Sequence, residues 1–414
     1  MKSVVFALVL FHALAAMATQ PSLQRPFRKA ETKEFRQKLK DVVPAIENLM
    51  GIGGTAGMSI GVMSHGEVVL DQSLGFADVE RQLRADASTR YPLASLTKAF
   101  FAATVSQLVD DGLLQWDQPL NTYIPELAFD SDPTLASRLT LIDLLSHQTG
   151  LLRLDALWLG ANGQVFIPKN YTVTLCNHLT SIYPLRSKWS YNNWMYALAG
   201  EVVERVTRLS WGHVLQLKVL GKLGLSQTTA IKSEIPVNST ALPYMIMDDK
   251  TPVGVPDMAL LDGDLMSSAG GVRSSVNDML AWGNALLSTY RTNDRQLRGI
   301  EPILSGHAFI NKSIGSDELY AMGFAKVTTP TQFGKIGFNP SLVEEMPVLG
   351  DNFKPTQAFY HSGGGPGYNH CFVLVPEHQT VIIVLTNSIS HGDIADWAAQ
   401  TLSKLRWISK YLWI

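Results

Sequence analysis

The chain predicts an α+β fold: an antiparallel sheet flanked by helices, with a mostly helical lobe inserted in the middle. Three observations carry that prediction. The periodic segments run in the order helix, strands, helices, strands, helix. The β-branched runs gather at the two ends of the chain, and one sheet that collects both is the simplest packing. No internal repeat is visible, which removes solenoids and propellers. The expected division is a discontinuous α/β domain, 31–94 and 264–414, around a helical domain, 95–263.

The elements follow in order. Glu31 to Met50 places Phe35, Leu39, Val42, Val43, Ile46 and Leu49 at helical spacing, and Gly51 ends the run. Gly57 to Met63 and Glu67 to Leu70 flank His65-Gly66, a hairpin signal. Ser95 to Asp111 is a long, Ala-rich apolar helix stopped by Gly112. Leu139 to Ser146, Tyr191 to Thr207, Trp211 to Leu220 and Ser275 to Ser288 read as further helices, with a loop-like stretch from Pro236 to Asp264. Tyr368 to Val375 and Thr380 to Thr386 are strands joined by a turn at Pro376 to Gln379, and Asp393 to Leu405 is a closing helix.

Composition bounds the function. The chain has 414 residues and is 46% apolar, so it has ample material for a core and is not disordered. Lys+Arg (34) nearly balances Asp+Glu (36), which gives no basic footprint for nucleic acid. Residues 1–18 combine Lys2, an apolar run from Val4 to Leu14 and the small-x-small Ala16-Met17-Ala18, and are expected to be a secretory signal peptide. No later apolar run is long enough to cross a bilayer, which takes about 20 helical residues. Export would permit Cys176 and Cys371 to pair, but sequence separation carries no geometry; two free buried thiols are the expectation. Asn170, Asn238 and Asn311 head N-x-S/T sequons and are glycosylation candidates in a eukaryotic host.

Three motifs carry chemistry. Ser95-Leu96-Thr97-Lys98 is the single S-x-x-K. At i and i+3 the two side chains share a helix face, so an amine can touch a hydroxyl. A serine in the first turn also has a backbone N–H free to bind an oxyanion. Tyr191-Asn192-Asn193 is the single Y-x-N among twelve tyrosines. A tyrosine whose pKa is lowered by a nearby ammonium can act as a general base. His361-Ser362-Gly363 is the single H-x-G among ten histidines and runs into Gly364-Gly365. Glycines there let a substrate lie flat against a strand edge.

With these motifs in this order, the chain resembles the serine β-lactamase and penicillin-binding-protein superfamily. Within it, the likeness is to the class C-like branch that includes esterases, D-aminopeptidases and acyltransferases, and to secreted fungal members. Gly75-Phe76-Ala77-Asp78, Tyr91 to Lys98, Leu144 to Leu151 and Ser268 to Val272 also match the family patterns, and the resemblance covers about residues 31–406. It implies a β-lactamase/transpeptidase-like fold and a serine hydrolase that acts on a small-molecule ester or amide without cofactor or metal. Ser95 takes the place of the nucleophile, Lys98 that of its proton partner and Tyr191 that of the activating base. Asn193 takes the place of the residue that orients lysine and substrate, and His361 that of the third motif's first residue. Gly363 and Gly364 belong to the substrate-binding strand, and the N–H groups of Ser95 and Gly364 would form the oxyanion hole. An acyltransferase with an alcohol or amine acceptor is the alternative. The third motif usually begins with lysine; His361, only partly protonated near neutral pH, is a poorer clamp for a β-lactam carboxylate.

Two decoys are set aside. Gly57-Met58-Ser59-Ile60-Gly61 matches the G-x-S-x-G elbow but lies inside a β-branched run rather than at a strand–turn–helix. His147, in Ser-His-Gln-Thr-Gly, is expected to be a capping or core histidine.

Overall fold

The structure, a computed structural model, describes residues 21–160, 163–258, 260–288, 296–313, 316–351 and 354–408. The expected signal peptide lies outside the described residues. The first helix, α1 (Pro21–Gly53), leads into the hairpin β1 (Gly57–Ser64) and β2 (Glu67–Asp78), followed by the short β3 (Leu83–Arg84). The middle of the chain supplies α2 (Thr97–Asp110), α3 (Leu141–Leu145), α4 (Asn193–Thr207) and α5 (Val276–Ser288). The strands β4 (Ala308–Ser313), β5 (Ser316–Tyr320), β6 (Ala325–Thr328), β7 (Gln357–Gly365), β8 (Tyr368–Val375) and β9 (Thr380–Thr386) precede α6 (Ile394–Ile408).

One nine-stranded antiparallel sheet collects both ends of the chain, in the order β3-β2-β1-β9-β8-β7-β6-β5-β4. Strand side chains alternate between its faces. Along β9, Val381, Ile383 and Leu385 join the core shared with the helical lobe. Ile382 and Val384 join the core beneath α1 and α6, with Phe35, Leu39 and Leu402. Full burial of such a side chain stabilises by roughly 1.5–3 kcal/mol, and β9 gains it on both faces. On the lobe face α5 lies directly on β1: a Cβ at Gly61 would stand 2.5 Å from Val276 Cγ1.

Several elements differ from expectation. The helix opened by Ser95 begins with a 3-10 turn, Ala94–Leu96, and becomes α-helical only at Thr97. The stretch from Pro236 to Asp264 contains two short paired strands, Tyr244–Ile246 and Pro252–Gly254. The strands β4 to β6, which run out to the β4 edge of the sheet, mix polar and apolar residues, so they lack the unbroken apolar runs that mark β8 and β9. His361 to Gly365 is itself strand rather than the approach to one. Cys176 and Cys371 are both free and buried. They sit in different cores, Cys176 in the helical lobe and Cys371 beneath α6. No helix among the described residues is long and apolar enough to cross a membrane.

Candidate active site

The chain reaches Ser95 in a strained turn. Ala94 has φ +47°, a left-handed conformation uncommon for a residue with a Cβ. It presents Ser95, half-buried, to a cavity of about 670 Å³ between the sheet and the helical lobe. Lys98 stands one turn on, fully buried. Its Nζ lies 3.0 Å from Ser95 Oγ and donates to Ala269 O at 3.0 Å. The rings of Tyr191 and Tyr196 face the same amine at 4.9 and 5.3 Å. Burial dominates and pulls the Lys98 pKa down to about 7; Asp155 opposes the shift and Arg153 adds to it. Near neutrality much of Lys98 is therefore a free amine able to take a proton.

Tyr191 arrives from the loop that enters α4, whose N-cap is Asn192, with its side chain accepting from Trp194 N at 3.0 Å. The Tyr191 hydroxyl donates to Ser95 Oγ at 2.7 Å. Ser95 Oγ thus meets the side chains of two sequence motifs at hydrogen-bond distance. The expected lowering of the tyrosine pKa is overturned. Burial raises it, outweighing the hydrogen bond to Ser95, so the phenol stays protonated and the free amine beside it is the better base.

Asn193 also corrects an expectation. It lines the cavity, but its Nδ2 donates to Asp155 Oδ1 at 3.0 Å, while Lys98 is held by Ser95 and Ala269 O. Asp155 accepts in addition from Trp158 Nε1 at 3.0 Å and Arg153 Nε at 2.9 Å. It had no sequence signal of its own, because its partners are assembled by a loop.

The third motif closes the site from the sheet. β7 pairs with β6 only from Gln357 to Tyr360, whereas its pairing with β8 continues to Gly365. From His361 onward its other side borders the cavity, which His361, Ser362, Gly364 and Gly365 line. Gly363 has to be glycine: a Cβ there would stand 2.4 Å from Leu93 O, in the segment that leads to Ser95. That close approach brings Gly364 and Ser95 to the same cavity. His361 Nδ1 lies 2.6 Å from Ser362 O, so this nitrogen carries the hydrogen, and Nε2 accepts from Tyr320 OH at 3.0 Å. Burial and then the Lys98 charge pull its pKa down to about 3. His361 is neutral throughout the physiological range rather than partly protonated.

The rest of the cavity is largely apolar, with Trp158, Leu159, Met258, Leu260, Ile336 and Phe338 in its walls. Of the three cations that line it, Arg153 pairs with Asp155 and Lys335 with the buried Glu318 at 3.6 Å, while the exposed Lys188 donates to the Tyr183 hydroxyl at 3.3 Å. Ser59, the decoy, is buried in β1 and bonded to Tyr91 OH at 2.9 Å. Among the described residues no group of three or more His, Cys, Asp or Glu side chains is arranged to hold a metal.

The profile of the Beta-lactamase family matches residues 42–403, nearly the whole described chain. The chain belongs to the Beta-lactamase family. It is thereby a relative of the serine β-lactamases and penicillin-binding proteins. It is 24% identical over 346 residues to the "Unguisins hydrolase ungD" of Aspergillus violaceofuscus, covering 80% of this chain and 58% of that protein. A penicillin-binding protein of Bacillus subtilis (strain 168) is 21% identical over 336 residues, 78% of this chain and 66% of its own. The chain thus spans less than two thirds of these relatives' length. Among solved structures, a class C β-lactamase from Rhodobacter sphaeroides superposes with TM-score 0.68 at 22% identity, covering 87% of this chain and 97% of its own. The octameric penicillin-binding protein homologue from Pyrococcus abyssi superposes with TM-score 0.69 at 22% identity, covering 88% and 77%. These likenesses show the β-lactamase-like fold.

Proposed function

We propose that this member of the Beta-lactamase family is a secreted serine hydrolase that cleaves esters or small amides through an acyl-enzyme on Ser95. One observation carries the reading: Ser95 Oγ lies 3.0 Å from an amine of pKa about 7 and 2.7 Å from a neutral phenol, at the wall of an open cavity. Ser95 Oγ attacks the substrate carbonyl carbon, and its proton passes to Lys98 Nζ. The carbonyl oxygen becomes an oxyanion facing the N–H groups of Ser95 and Gly364. The tetrahedral intermediate collapses, the bond to the leaving group breaks, and the leaving group takes the proton from Lys98 through the Tyr191 hydroxyl. Water then attacks the acyl-enzyme, giving a proton to the same pair, and Ser95 regains it as the acid departs.

The cavity supports neutral, apolar substrates over β-lactams. His361 carries no charge, the cations of Arg153 and Lys335 are matched by Asp155 and Glu318, and the third cation of the lining, Lys188, is exposed and bonded to the Tyr183 hydroxyl. The names of the Aspergillus relatives, hydrolases, favour water over an alcohol or amine as acceptor. Secretion rests on residues 1–18, and all three sequon asparagines, Asn170, Asn238 and Asn311, are exposed and open to glycosylation. The test is hydrolysis of p-nitrophenyl butyrate by the wild type and Ser95→Ala, with a chromogenic cephalosporin alongside. Ester turnover should fall by ~10³-fold or more in Ser95→Ala, with little cephalosporin turnover by the wild type. Full activity in Ser95→Ala overturns the nucleophile, and rapid cephalosporin hydrolysis overturns the substrate class. Butyl ester formed from added butanol would mark a transferase.

A further inference from the structure

His147 was expected only to cap or fill the core, and the acyl-enzyme scheme gives it no role. It is fully buried, and it sits where α3 ends, just past Ser146. Its backbone is left-handed, φ +61°, as the residue after a helix end commonly is: His147 N donates to Leu144 O at 3.3 Å and Gln148 N to Asp143 O at 3.0 Å, which caps α3. The surroundings hold that turn firmly. Thr140 and Asp143 form a capping box at the start of α3, and Arg186 forks onto Asp143 with bonds of 2.7 and 2.8 Å.

From this fixed position His147 grips three consecutive residues. Its carbonyl accepts from Ser190 N at 2.9 Å. Its ring Nδ1 accepts from Asn192 N at 3.1 Å. Its ring face packs on the Tyr191 ring between them, at 4.3 Å between centroids and a 39° tilt. Because Nδ1 accepts, the neutral ring carries its hydrogen on Nε2, which is buried and has no hydrogen-bond partner among the described residues. Leaving such a donor unpaired costs about 1–3 kcal/mol, which an apolar side chain of similar shape would avoid. The helix end accounts for the left-handed backbone, whereas the orphaned N–H is the cost of turning Nδ1 toward Asn192 N.

We propose that His147 is a positioning residue for catalysis, bracing Tyr191 so that its hydroxyl stays within reach of Ser95. The inference rests on the proposed role of Tyr191. Lys98 and Ser95 are placed by one helix turn and need no such brace, whereas Tyr191 precedes its helix and is held to its site from outside. A displacement of about 1 Å in a catalytic group can cost on the order of 10²-fold in rate.

The test is a double-mutant cycle on ester hydrolysis with His147→Phe and Tyr191→Phe. Phenylalanine keeps a ring but removes the Nδ1 acceptor. His147→Asn is the second variant: its Oδ1 occupies the place of Nδ1, and asparagine tolerates a left-handed backbone. His147→Phe should lower kcat by ~10²-fold with KM within about twofold, and His147→Asn should recover most of the loss. In the Tyr191→Phe background neither substitution should cost anything further. The same fold-loss in both backgrounds, or wild-type kcat in folded His147→Phe, would overturn the proposal. If His147→Phe does not fold, the residual loss in His147→Asn is measured in both backgrounds, and a loss that persists without the Tyr191 hydroxyl overturns the proposal. Wild-type kcat in Tyr191→Phe would instead sink the reading of Tyr191, and the brace with it.

Discussion

Strand β7 separates two buried ionisable clusters that obey the same physics and serve different ends. On its cavity side lies Lys98, among Ser95, Tyr191 and Tyr196. On the side of α6 lie Asp393 and Asp396, both about 1% exposed. There Asn339 Nδ2 donates to Asp396 Oδ2 at 2.8 Å and to Asp393 O at 3.0 Å, and its Oδ1 accepts from Asp393 N at 2.8 Å. In both clusters burial is the largest influence and favours the neutral form, lowering the lysine pKa and raising the carboxyl pKa values. For Asp393 the neighbouring carboxylate adds to the rise. The amine faces an open cavity and a hydroxyl, so its neutral form has a proton to take. The acids face a loop, where Asp396 Oδ2 and the Asp393 backbone hold Asn339, next to the wall segment from Lys335 to Phe338. Desolvation alone does not make a catalytic group; desolvation beside a cavity does.

The largest expected effect comes from removing the amine. Lys98→Met should lower ester kcat/KM by ~10²–10⁴-fold. In the wild type, kcat/KM should rise with pH through about 7 as Lys98 loses its proton, and that limb should vanish in Lys98→Met. A limb that persists would assign it to another group and break the comparison at its catalytic half.

Next comes the wall. Asn339→Ala removes three hydrogen bonds on the acid side, at a net cost of about 0.5–1.5 kcal/mol each. Thermal unfolding should show a clear loss of Tm. KM should rise, since Ile336 and Phe338 lose their support, while kcat per folded molecule should change little. A kcat loss as large as that of Lys98→Met would make the two clusters functionally alike.

The smallest effect is the sharpest, because the two clusters should differ in sign. The buried carboxyls have folded pKa values above the ordinary value of about 4, so their contribution to stability is complete below that pH and is lost as pH rises toward neutrality. Lys98 has a folded pKa below its unfolded value of 10.5, so its contribution is complete above that pH and is lost as pH falls through about 7. Denaturant unfolding from pH 4 to 10 should therefore find Asp393→Asn flattening the slope on the acid side and Lys98→Met the slope between pH 7 and 10. Identical slopes in wild type and both variants would show that neither group changes protonation on folding.

These residues also mark how far the sequence is legible. The i, i+3 spacing of Ser95 and Lys98 placed the pair on one face without any tertiary information, because a helical turn sets that distance. The unbroken apolar run from Val381 to Leu385 marked a buried strand by its length. The Asp393–Asp396 cluster left no trace, since its partner Asn339 is more than fifty residues away and its burial depends on β7 and β8 packing over it.

Sequence by itself determined the family, the antiparallel sheet with its inserted helical lobe, and the three motifs that supply Ser95, Lys98, Tyr191 and His361. The sheet and the lobe follow from periodicity, the motifs from residue spacing, and the family from the resemblance those motifs carry. Tertiary structure alone decided the charge on Lys98, Tyr191 and His361. Burial keeps Tyr191 protonated, holds His361 neutral and makes Lys98 a base near pH 7. It also decided that Asn193 holds Asp155 rather than the lysine, and that His147 grips Tyr191. The physical reason is that desolvation and long-range contact depend on what the remainder of the chain places around a group, and no local pattern encodes that.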